Sequence, residues 1–210
     1  MLTIGLCGGS GTGKNTAAEA FLSAGIPVID ADAVYHGLVG SSSPLTEALA
    51  ARFGKEILTE GGALDRVALR RVVFSGGAEA EAARADLNRL THGEVLAVFR
   101  QWLSEQKEQG ADLAVVNAPL LIESGFDKEC DLVAAVLADR DLRIERLCKR
   151  DGLTATEAAS RIDAQLSDAT LSEHADHIFY NNGTEAELHD AVHQWIPYLK
   201  TVAEEKTHGK

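Results

Sequence analysis

Short apolar segments alternate with helical ones along most of this chain. Five segments have the length and composition of buried strands, the last being the weakest, and they span residues 2–7, 26–30, 112–117, 131–138 and 177–180. The segments between them have helical composition or helical spacing of apolar residues. Apolar strands separated by helices indicate a parallel sheet that is covered on both faces. The pattern therefore predicts an α/β fold.

The helical segments differ greatly in length. A helix is expected at 14–24, directly after a glycine-rich stretch, and another from 184 to about 205, where apolar residues recur at helical spacing. Almost everything between 33 and 110 is helical in composition, and we interpret it as an insert between the second and third strands. Breaks within the insert are expected at 41–44, 61–62 and 76–77. The sequence thus predicts a single domain, with a core at about 1–32 and 111–205 and an insert at about 33–110.

Composition narrows the class of protein. The 210 residues are 45% hydrophobic and 25% charged, which is typical of one globular domain. No apolar run approaches the roughly 20 residues of a membrane span, and the start lacks a basic segment and a cleavage pattern, so a cytoplasmic protein is expected. Cys7, Cys130 and Cys148 lie far apart, which is typical of reduced thiols and not of a disulfide framework or a zinc ribbon.

The net charge of −12 bears on possible partners. Such a charge repels nucleic acid and anionic membranes unless the basic residues are concentrated in one place. Neither is therefore expected as a partner, and any polyanionic ligand requires a local basic cluster.

The strongest motif is G-G-S-G-T-G-K at residues 8–14, which follows a predicted strand and precedes a predicted helix. In this context it matches a phosphate-binding loop, in which glycines let backbone N–H groups surround an anion and Lys14 adds a full positive charge. The alternative, a glycine-rich turn with an exposed lysine, is disfavoured by the position in the first strand–helix unit. The predicted nucleotide-binding residues of the loop are Gly9, Ser10, Gly11, Thr12, Gly13, Lys14, Asn15 and Thr16.

One residue of this motif is unusual. The position after the lysine, which normally supplies a Ser or Thr hydroxyl to Mg²⁺, is Asn15. Thr16 is rotated by about 100° along the helix and should not reach the same point. Because Mg²⁺ also accepts a neutral amide oxygen, we expect Asn15 to act as its ligand, with weaker coupling to the metal.

Two carboxylates, Asp30 and Asp32, end the second predicted strand, where ligands bind in open parallel sheets. Strand alternation would place them on the same side. A carboxylate there can accept the proton of a hydroxyl that receives a phosphoryl group. Equally, Asp32 precedes a helix expected from Ala33 and can be its N-cap. The spacing alone leaves both interpretations open.

A second basic feature lies between residues 140 and 150, which hold five of the 20 basic residues. Arg143, Arg146 and Arg150 share one face of a predicted helix. Such a face is usually solvated. In an acidic chain with a phosphate-binding loop, a face directed at the transferring phosphate is at least as well supported.

Seven motifs occur in order along the chain. They are the loop at 8–16, V-I-D-A-D at 28–32, G-G-A-L-D-R at 61–66, A-P-L-L-I-E at 118–123, R-L-C-K-R-D-G at 146–152, D-A-Q at 163–165 and N-N-G at 181–183. Taken together, these motifs resemble the dephospho-CoA kinase family over essentially the whole length. The V-I-D-A-D and P-L-L-x-E segments are the most specific, since a phosphate-binding loop is shared by many NTPases.

The resemblance implies a fold and an activity. The fold is that of a P-loop NTPase-type kinase, with a five-stranded parallel sheet, helices on both faces, a helical acceptor-side insert and a lid at about 140–170. The activity is transfer of the γ-phosphate of ATP, with Mg²⁺, to the ribose 3′-hydroxyl of dephospho-CoA, which is the last step of coenzyme A synthesis. The expected partners are these two small molecules, and the protein is expected to be a monomer or a small homo-oligomer.

The resemblance also implies roles for individual residues. Lys14, Asp32 and Arg146 are the expected catalytic residues, with Asp32 facing the acceptor hydroxyl and Arg146 contacting the transferring phosphate. Asn181 is expected near the adenine. Further candidates for the acceptor side are Arg66, Arg70, His92, Leu120 and Glu123. A surface ion pair is the alternative for the two arginines, and is favoured for Arg70.

Two departures from the family pattern concern the acceptor side and the lid. His92 is followed by Gly93 where the family usually has proline, and residues 167–172 contain no basic residue where relatives carry one.

Two other functions are alternatives. A P-loop kinase of another small metabolite or nucleoside monophosphate is disfavoured by V-I-D-A-D and P-L-L-I-E. A nucleotide-binding regulator, catalytically weakened by Asn15 and the lid without a basic residue, is disfavoured by the presence of Lys14, Asp32 and Arg146 together.

Overall fold

The structure is a computed structural model that describes residues 1–39, 43–73 and 78–208. The chain divides into two compact units, of which the first comprises Met1–Asp30 with Trp102–Lys210 and the second comprises Ala31–Gln101. Residues 41–42 of the expected break at 41–44, and the whole expected break at 76–77, lie outside the described residues.

Within the described residues, one five-stranded sheet forms the centre of the first unit. Its strands are β1 (Leu2–Cys7), β2 (Val28–Asp30), β3 (Leu113–Asn117), β4 (Leu132–Leu137) and β5 (His177–Tyr180). The order is β2-β3-β1-β4-β5, and every neighbouring pair is parallel. The predicted parallel sheet is confirmed.

The helices that the structure describes follow the strands along the chain. They are α1 (Lys14–Ser23), α2 (Ala31–Leu38), α3 (Pro44–Phe53), α4 (Arg66–Val73), α5 (Ala78–Glu108), α6 (Arg140–Asp151), α7 (Ala155–Asp163), α8 (Asp168–His174) and α9 (Glu185–His208). Short 3-10 turns occur at Lys55–Ile57 and Phe126–Glu129.

The core of the first unit explains why its strands are mostly apolar. All residues of β1 and β3 are buried, and α1 and α9 pack together against the sheet. Phe21 of α1 and Leu199 of α9 are fully buried in the same cluster as Val115 of β3. Burying a side chain of this size contributes about 1.5–3 kcal/mol, so the cluster is a major source of stability.

The second unit has a separate apolar core. Its buried members include Leu45, Leu49, Phe53 and Val73, which come from α3 and α4. Ser43 caps α3 by accepting a hydrogen bond from the Thr46 N–H at 3.0 Å. The break expected at 61–62 lies in a turn between Leu58 and Leu64, which form an antiparallel bridge.

The region around Asp32 differs from the expectation. The strand alternation that we expected to align Asp30 with Asp32 is wrong, because β2 ends at Asp30 and α2 begins at Ala31. Asp32 therefore lies in the first turn of α2 and is not the N-cap of a helix that starts at Ala33. The strand also begins later than expected, at Val28, because the Ile26 N–H closes the preceding turn by donating to Phe21 O at 3.0 Å.

His177 gives the first unit an expected pH dependence. Its ring is stacked on Trp195 with centroids 4.4 Å apart, and burial lowers the pKa of this histidine below its ordinary value of 6.5. The unfolded chain therefore binds a proton more readily, so stability should fall as the pH drops below about 6.5. The free energy of unfolding in urea, measured at about pH 7.5 and about pH 5.5, should fall less in His177→Phe than in the wild type. Equal losses in both proteins would contradict this origin.

Candidate active site

The glycine-rich loop joins β1 to α1, at the carboxyl edge of the sheet. Gly11 and Gly13 have φ angles of +80° and +91°, which favour glycine, and Lys14 is the first residue of α1. Thr12 is fully buried, and its hydroxyl donates to Gly9 O at 2.9 Å. The loop thus precedes a helix N-terminus, where backbone N–H groups and the helix dipole favour an anion.

Asn181 and Arg146 hold the loop in place from outside it. The buried Asn181 Nδ2 donates to Thr12 O at 2.8 Å. Arg146 Nη1 donates to Gly11 O at 3.3 Å, and its Nη2 lies 3.5 Å from Asn181 Oδ1. A side chain on Gly13 would collide with the Asn181 amide, so glycine is also needed there for space. Two residues chosen from the sequence therefore lie together at the loop.

Arg143, which the sequence placed only on the basic face, is a major contact of the loop. Its side chain is 4% exposed, its Nε donates to Ser10 O at 3.0 Å, and its Nη1 pairs with Asp168 at 2.9 Å. Gln165 Oε1 accepts a hydrogen bond from the Ser10 N–H at 2.7 Å. The backbone N–H and the backbone carbonyl of Ser10 are therefore both held by side chains from distant segments. The D-A-Q motif was the only sequence signal for Gln165.

The basic face of α6 divides into two parts. Arg143 and Arg146 face the loop, whereas Arg150 pairs with its neighbour Asp151 at 2.7 Å. Arg140 forms two hydrogen bonds with Asp163, at 2.6 and 2.9 Å. These hydrogen bonds hold the pKa of the Asp163 carboxyl below its ordinary value. The interpretation as a phosphate-directed face thus fits only the two arginines at the loop.

Asn117 is the functional residue that the sequence reasoning missed. It ends β3, is only 2% exposed, and its Oδ1 accepts a hydrogen bond from Lys14 Nζ at 2.5 Å. Its Nδ2 donates to Asp30 Oδ2 at 2.6 Å and lies 3.4 Å from Asn15 Oδ1. A polar residue that ends an otherwise apolar strand was the available signal. Asn15 itself is exposed, and Thr16 is half-buried.

The P-L-L-I-E segment follows β3 directly. Its two candidate residues, Leu120 and Glu123, are exposed, and Leu120 retains 44% of its accessible surface.

Burial raises the pKa of the Cys7 thiol to about 12, and the nearby Glu123 charge adds to the increase while Lys14 opposes it. Cys7 therefore stays protonated at neutral pH, consistent with the expected reduced core thiol. All three cysteines are free.

The remaining acceptor-side candidates belong to the second unit. Asp32 and Arg70 are exposed, and His92 is half-buried on α5. Arg66 contacts His36, with Nη1 and Nε2 3.3 Å apart, and lies over the Tyr35 ring. These contacts of Arg66 are not the surface ion pair considered as its alternative. The roles of these residues toward the acceptor stay predictions.

Two kinds of feature are absent from the described residues. Within that part of the chain, no cluster of three or more His, Cys, Asp or Glu side chains is arranged to hold a metal ion. None of its helices combines the length and apolarity that crossing a membrane requires.

The comparison with known protein families identifies the family of this chain. The family model described as dephospho-CoA kinase matches residues 2–187. This chain belongs to the dephospho-CoA kinase family. The matched range contains the glycine-rich loop, the arginines of α6 and Asn181, and it ends within α9.

Individual proteins agree with this assignment to the dephospho-CoA kinase family. A dephospho-CoA kinase from Syntrophotalea carbinolica is 38% identical over 192 residues, which covers 91% of this chain and 89% of that protein. A crystal structure of a Thermus thermophilus protein is 30% identical, with a TM-score of 0.77, and covers 94% of this chain and 97% of that one. A dephospho-CoA kinase structure from Campylobacter jejuni is 25% identical, with a TM-score of 0.69, and covers 95% and 97%.

Proposed function

We propose that this chain transfers the γ-phosphate of ATP to the ribose 3′-hydroxyl of dephospho-CoA, giving CoA and ADP. The observation that carries this proposal is the family match over residues 2–187, which includes the loop and the two arginines that contact it. ATP and dephospho-CoA are its small-molecule substrates. The reaction is the last step of coenzyme A synthesis.

At the donor end, the loop and its cations bind the phosphates of ATP. Backbone N–H groups of the loop and the N-terminus of α1 bind phosphate oxygens, while Lys14 supplies a full positive charge. Arg146 lies at the loop, where its guanidinium can contact the transferring phosphate as negative charge develops on it. Asn181 lies beside Thr12 and contributes to the nucleotide site near the adenine.

At the acceptor end, Asp32 orients the ribose hydroxyl and accepts its proton. Its exposed carboxylate in the first turn of α2 is available to a substrate. As the hydroxyl oxygen attacks the γ-phosphorus, the bond to the ADP oxygen breaks and the proton passes to Asp32. The remaining acceptor-side residues are proposed to bind dephospho-CoA, and they are Arg66, Arg70, His92, Leu120 and Glu123.

The residues around Lys14 fit a Mg²⁺ ion that arrives with ATP. Mg²⁺ prefers oxygen ligands and usually keeps several waters, and Asn15 offers an exposed amide oxygen beside the loop. Asn15 would hold the ion. When bound, Mg²⁺ neutralises negative charge on the β and γ phosphates.

The region expected to close over ATP, at about 140–170, covers α6, α7, the segment between α7 and α8, and the first residues of α8. Its contacts with the loop come from Arg143, Arg146, Gln165 and, through Arg143, Asp168. We propose that these contacts replace the basic residue that relatives carry at 167–172. The protein is further proposed to act in the cytoplasm as a monomer or small homo-oligomer, and its charge of −12 disfavours nucleic acid as a partner.

An acceptor panel tests the proposed function. With MgATP, the chain should convert dephospho-CoA to a product one phosphate heavier by mass spectrometry, with matching release of ADP. Shikimate and nucleoside monophosphates are the comparison acceptors, because other P-loop kinases phosphorylate them, shikimate on a hydroxyl and the monophosphates on their phosphate group. A faster reaction with one of these would identify another small-molecule kinase. Intact ATP binding without acceptor-dependent ADP release would identify a nucleotide-binding regulator instead.

Asn15 leads to a prediction about the metal requirement. Its amide is longer than a Ser or Thr hydroxyl, and Mg²⁺ tolerates poor octahedral geometry badly. The Mg²⁺ concentration that gives half-maximal turnover should therefore fall about threefold or more in Asn15→Ser and in Asn15→Thr, a modest change for a metal ligand. ATP affinity should change less, because the loop and Lys14 maintain it. Titrating Mg²⁺ at fixed ATP tests this, and coincident curves or a higher requirement in both variants would contradict it.

A further inference from the structure

The amide of Asn117 joins two oppositely charged side chains. Its Oδ1 accepts from the Lys14 ammonium at 2.5 Å, and its Nδ2 donates to the Asp30 carboxylate at 2.6 Å. The opposite orientation would place the NH₂ group against the ammonium and the oxygen against the carboxylate, so the charges on either side determine the orientation. Asn117 is almost completely buried and therefore holds both charged groups in one arrangement.

This arrangement differs from the metal site of most P-loop NTPases. In those enzymes the hydroxyl after the loop lysine and an aspartate that follows a buried strand hold Mg²⁺. Here the first position is Asn15, and Asn117 ends β3, the strand beside β1. Both positions therefore carry neutral amides. The carboxylate lies one strand further out, because Asp30 ends β2 and is paired in register with Asn117.

We propose that Asp30 supplies the negative charge of the Mg²⁺ site and that Asn117 is the positioning residue that holds it there. The Asn117 Nδ2 atom lies 2.6 Å from Asp30 Oδ2 and 3.4 Å from Asn15 Oδ1, so both oxygens flank one nitrogen. An ion that keeps several waters needs one or two carboxylates, and Asp30 can act on it directly or through a water. This inference rests on the proposed kinase function, since the ion arrives with ATP.

A neutral residue at position 117 has a second consequence, which concerns Lys14. An aspartate there would form a buried ion pair with the lysine, and breaking such a pair is unfavourable. The amide satisfies the ammonium with a hydrogen bond and leaves its positive charge available to phosphate. With the carboxylate at Asp30, the negative charge that attracts the metal is kept apart from the positive charge of Lys14 that binds the nucleotide.

Exchanging the carboxylate between the two positions tests the inference. Equilibrium binding of ATP is measured by calorimetry across a Mg²⁺ titration, without an acceptor, for the wild type, Asp30→Asn and the double variant Asp30→Asn/Asn117→Asp. Asp112→Asn is the matched control, because it makes the same change at an exposed residue beside the opposite end of β3.

Asp30→Asn should raise the Mg²⁺ concentration for half-maximal enhancement of ATP binding about tenfold, the lower range for residues that support a metal. Its ATP affinity without Mg²⁺ should stay within about twofold of the wild type, because the loop and Lys14 are unchanged. The double variant should recover most of the Mg²⁺ response, since it places a carboxylate at position 117, next to residue 30. Its ATP affinity without Mg²⁺ should be lower, because the new carboxylate pairs with Lys14.

Two results would overturn the proposal: a Mg²⁺ response of Asp30→Asn equal to that of Asp112→Asn, or a double variant as defective as Asp30→Asn. If Asp30→Asn fails to fold, as judged by circular dichroism, Asp30→Ser replaces it. That variant also removes the charge, and a Mg²⁺ response equal to that of Asp112→Asn would likewise overturn the proposal. Because no acceptor is present, failure to phosphorylate dephospho-CoA would instead contradict the proposed function alone.

Discussion

Asp32→Asn should lower kcat by roughly 10²-fold or more, while ATP binding changes little. The reason is that an amide cannot take up the proton of the acceptor hydroxyl at the moment of attack. The measurement is kcat with dephospho-CoA, together with the equilibrium binding of ATP and the melting temperature of each protein. A large loss of turnover with unchanged ATP binding would place Asp32 in the chemical step.

A purely structural role for Asp32 has a different expected result. Asp32 lies in the first turn of α2, where its charge interacts favourably with the helix dipole, an effect of about 0.3–1 kcal/mol. Asp141→Asn is the matched control, since Asp141 is an exposed aspartate in the first turn of α6. Equal turnover in both variants, with similar small shifts in melting temperature, would remove Asp32 from the mechanism.

Arg146→Ala is expected to reduce kcat roughly 10²-fold to 10³-fold, and to weaken ATP binding much less. The guanidinium lies at the loop, and its proposed role is to stabilise the charge that grows on the phosphate only during transfer. Arg146→Lys should recover little activity, because a point charge cannot reproduce the planar set of donors. Single-turnover kinetics separate the chemical step from ATP binding and product release.

The same helix provides the control for this variant. Arg150 shares the predicted face of α6 but pairs with Asp151, so Arg150→Ala should turn over at close to the wild-type rate. The melting temperature of Arg146→Ala is needed as well, because Arg146 also donates to Gly11 O and Gly183 O. An alanine variant at 146 that retains full activity would assign this arginine a structural role only.

Strands and the loop could be predicted because their signals are local. A strand covered on both faces is apolar at most positions, so the five strands were recognisable within a few residues of their observed bounds. The phosphate-binding motif consists of contiguous residues whose conformation depends on their own glycines. The start of α2 was missed by two residues, because nothing in V-I-D-A-D shows that the chain turns directly from strand to helix at Ala31.

The arginines of α6 illustrate a partial success. Helical spacing placed Arg143, Arg146 and Arg150 on one face of a predicted helix, and the structure confirms that helix as α6. Spacing could not show that two of them contact the loop while the third pairs with Asp151, since that depends on how the helix lies against the loop.

The α/β class, the phosphate-binding loop and the family could be recognised in the sequence alone, because each is carried by local pattern or by motifs in order. The contact of Lys14 with Asn117, which is 103 residues away in the chain, became evident only in the folded chain. That contact depends on β3 lying between β2 and β1, an order that alternating strands and helices leave open. Parallel pairing then brings the carboxyl ends of the three strands together and sets Asp30 beside Asn117. The physical reason is that a local apolar pattern shows which segments are strands, whereas packing across the whole sheet determines which strands lie next to each other.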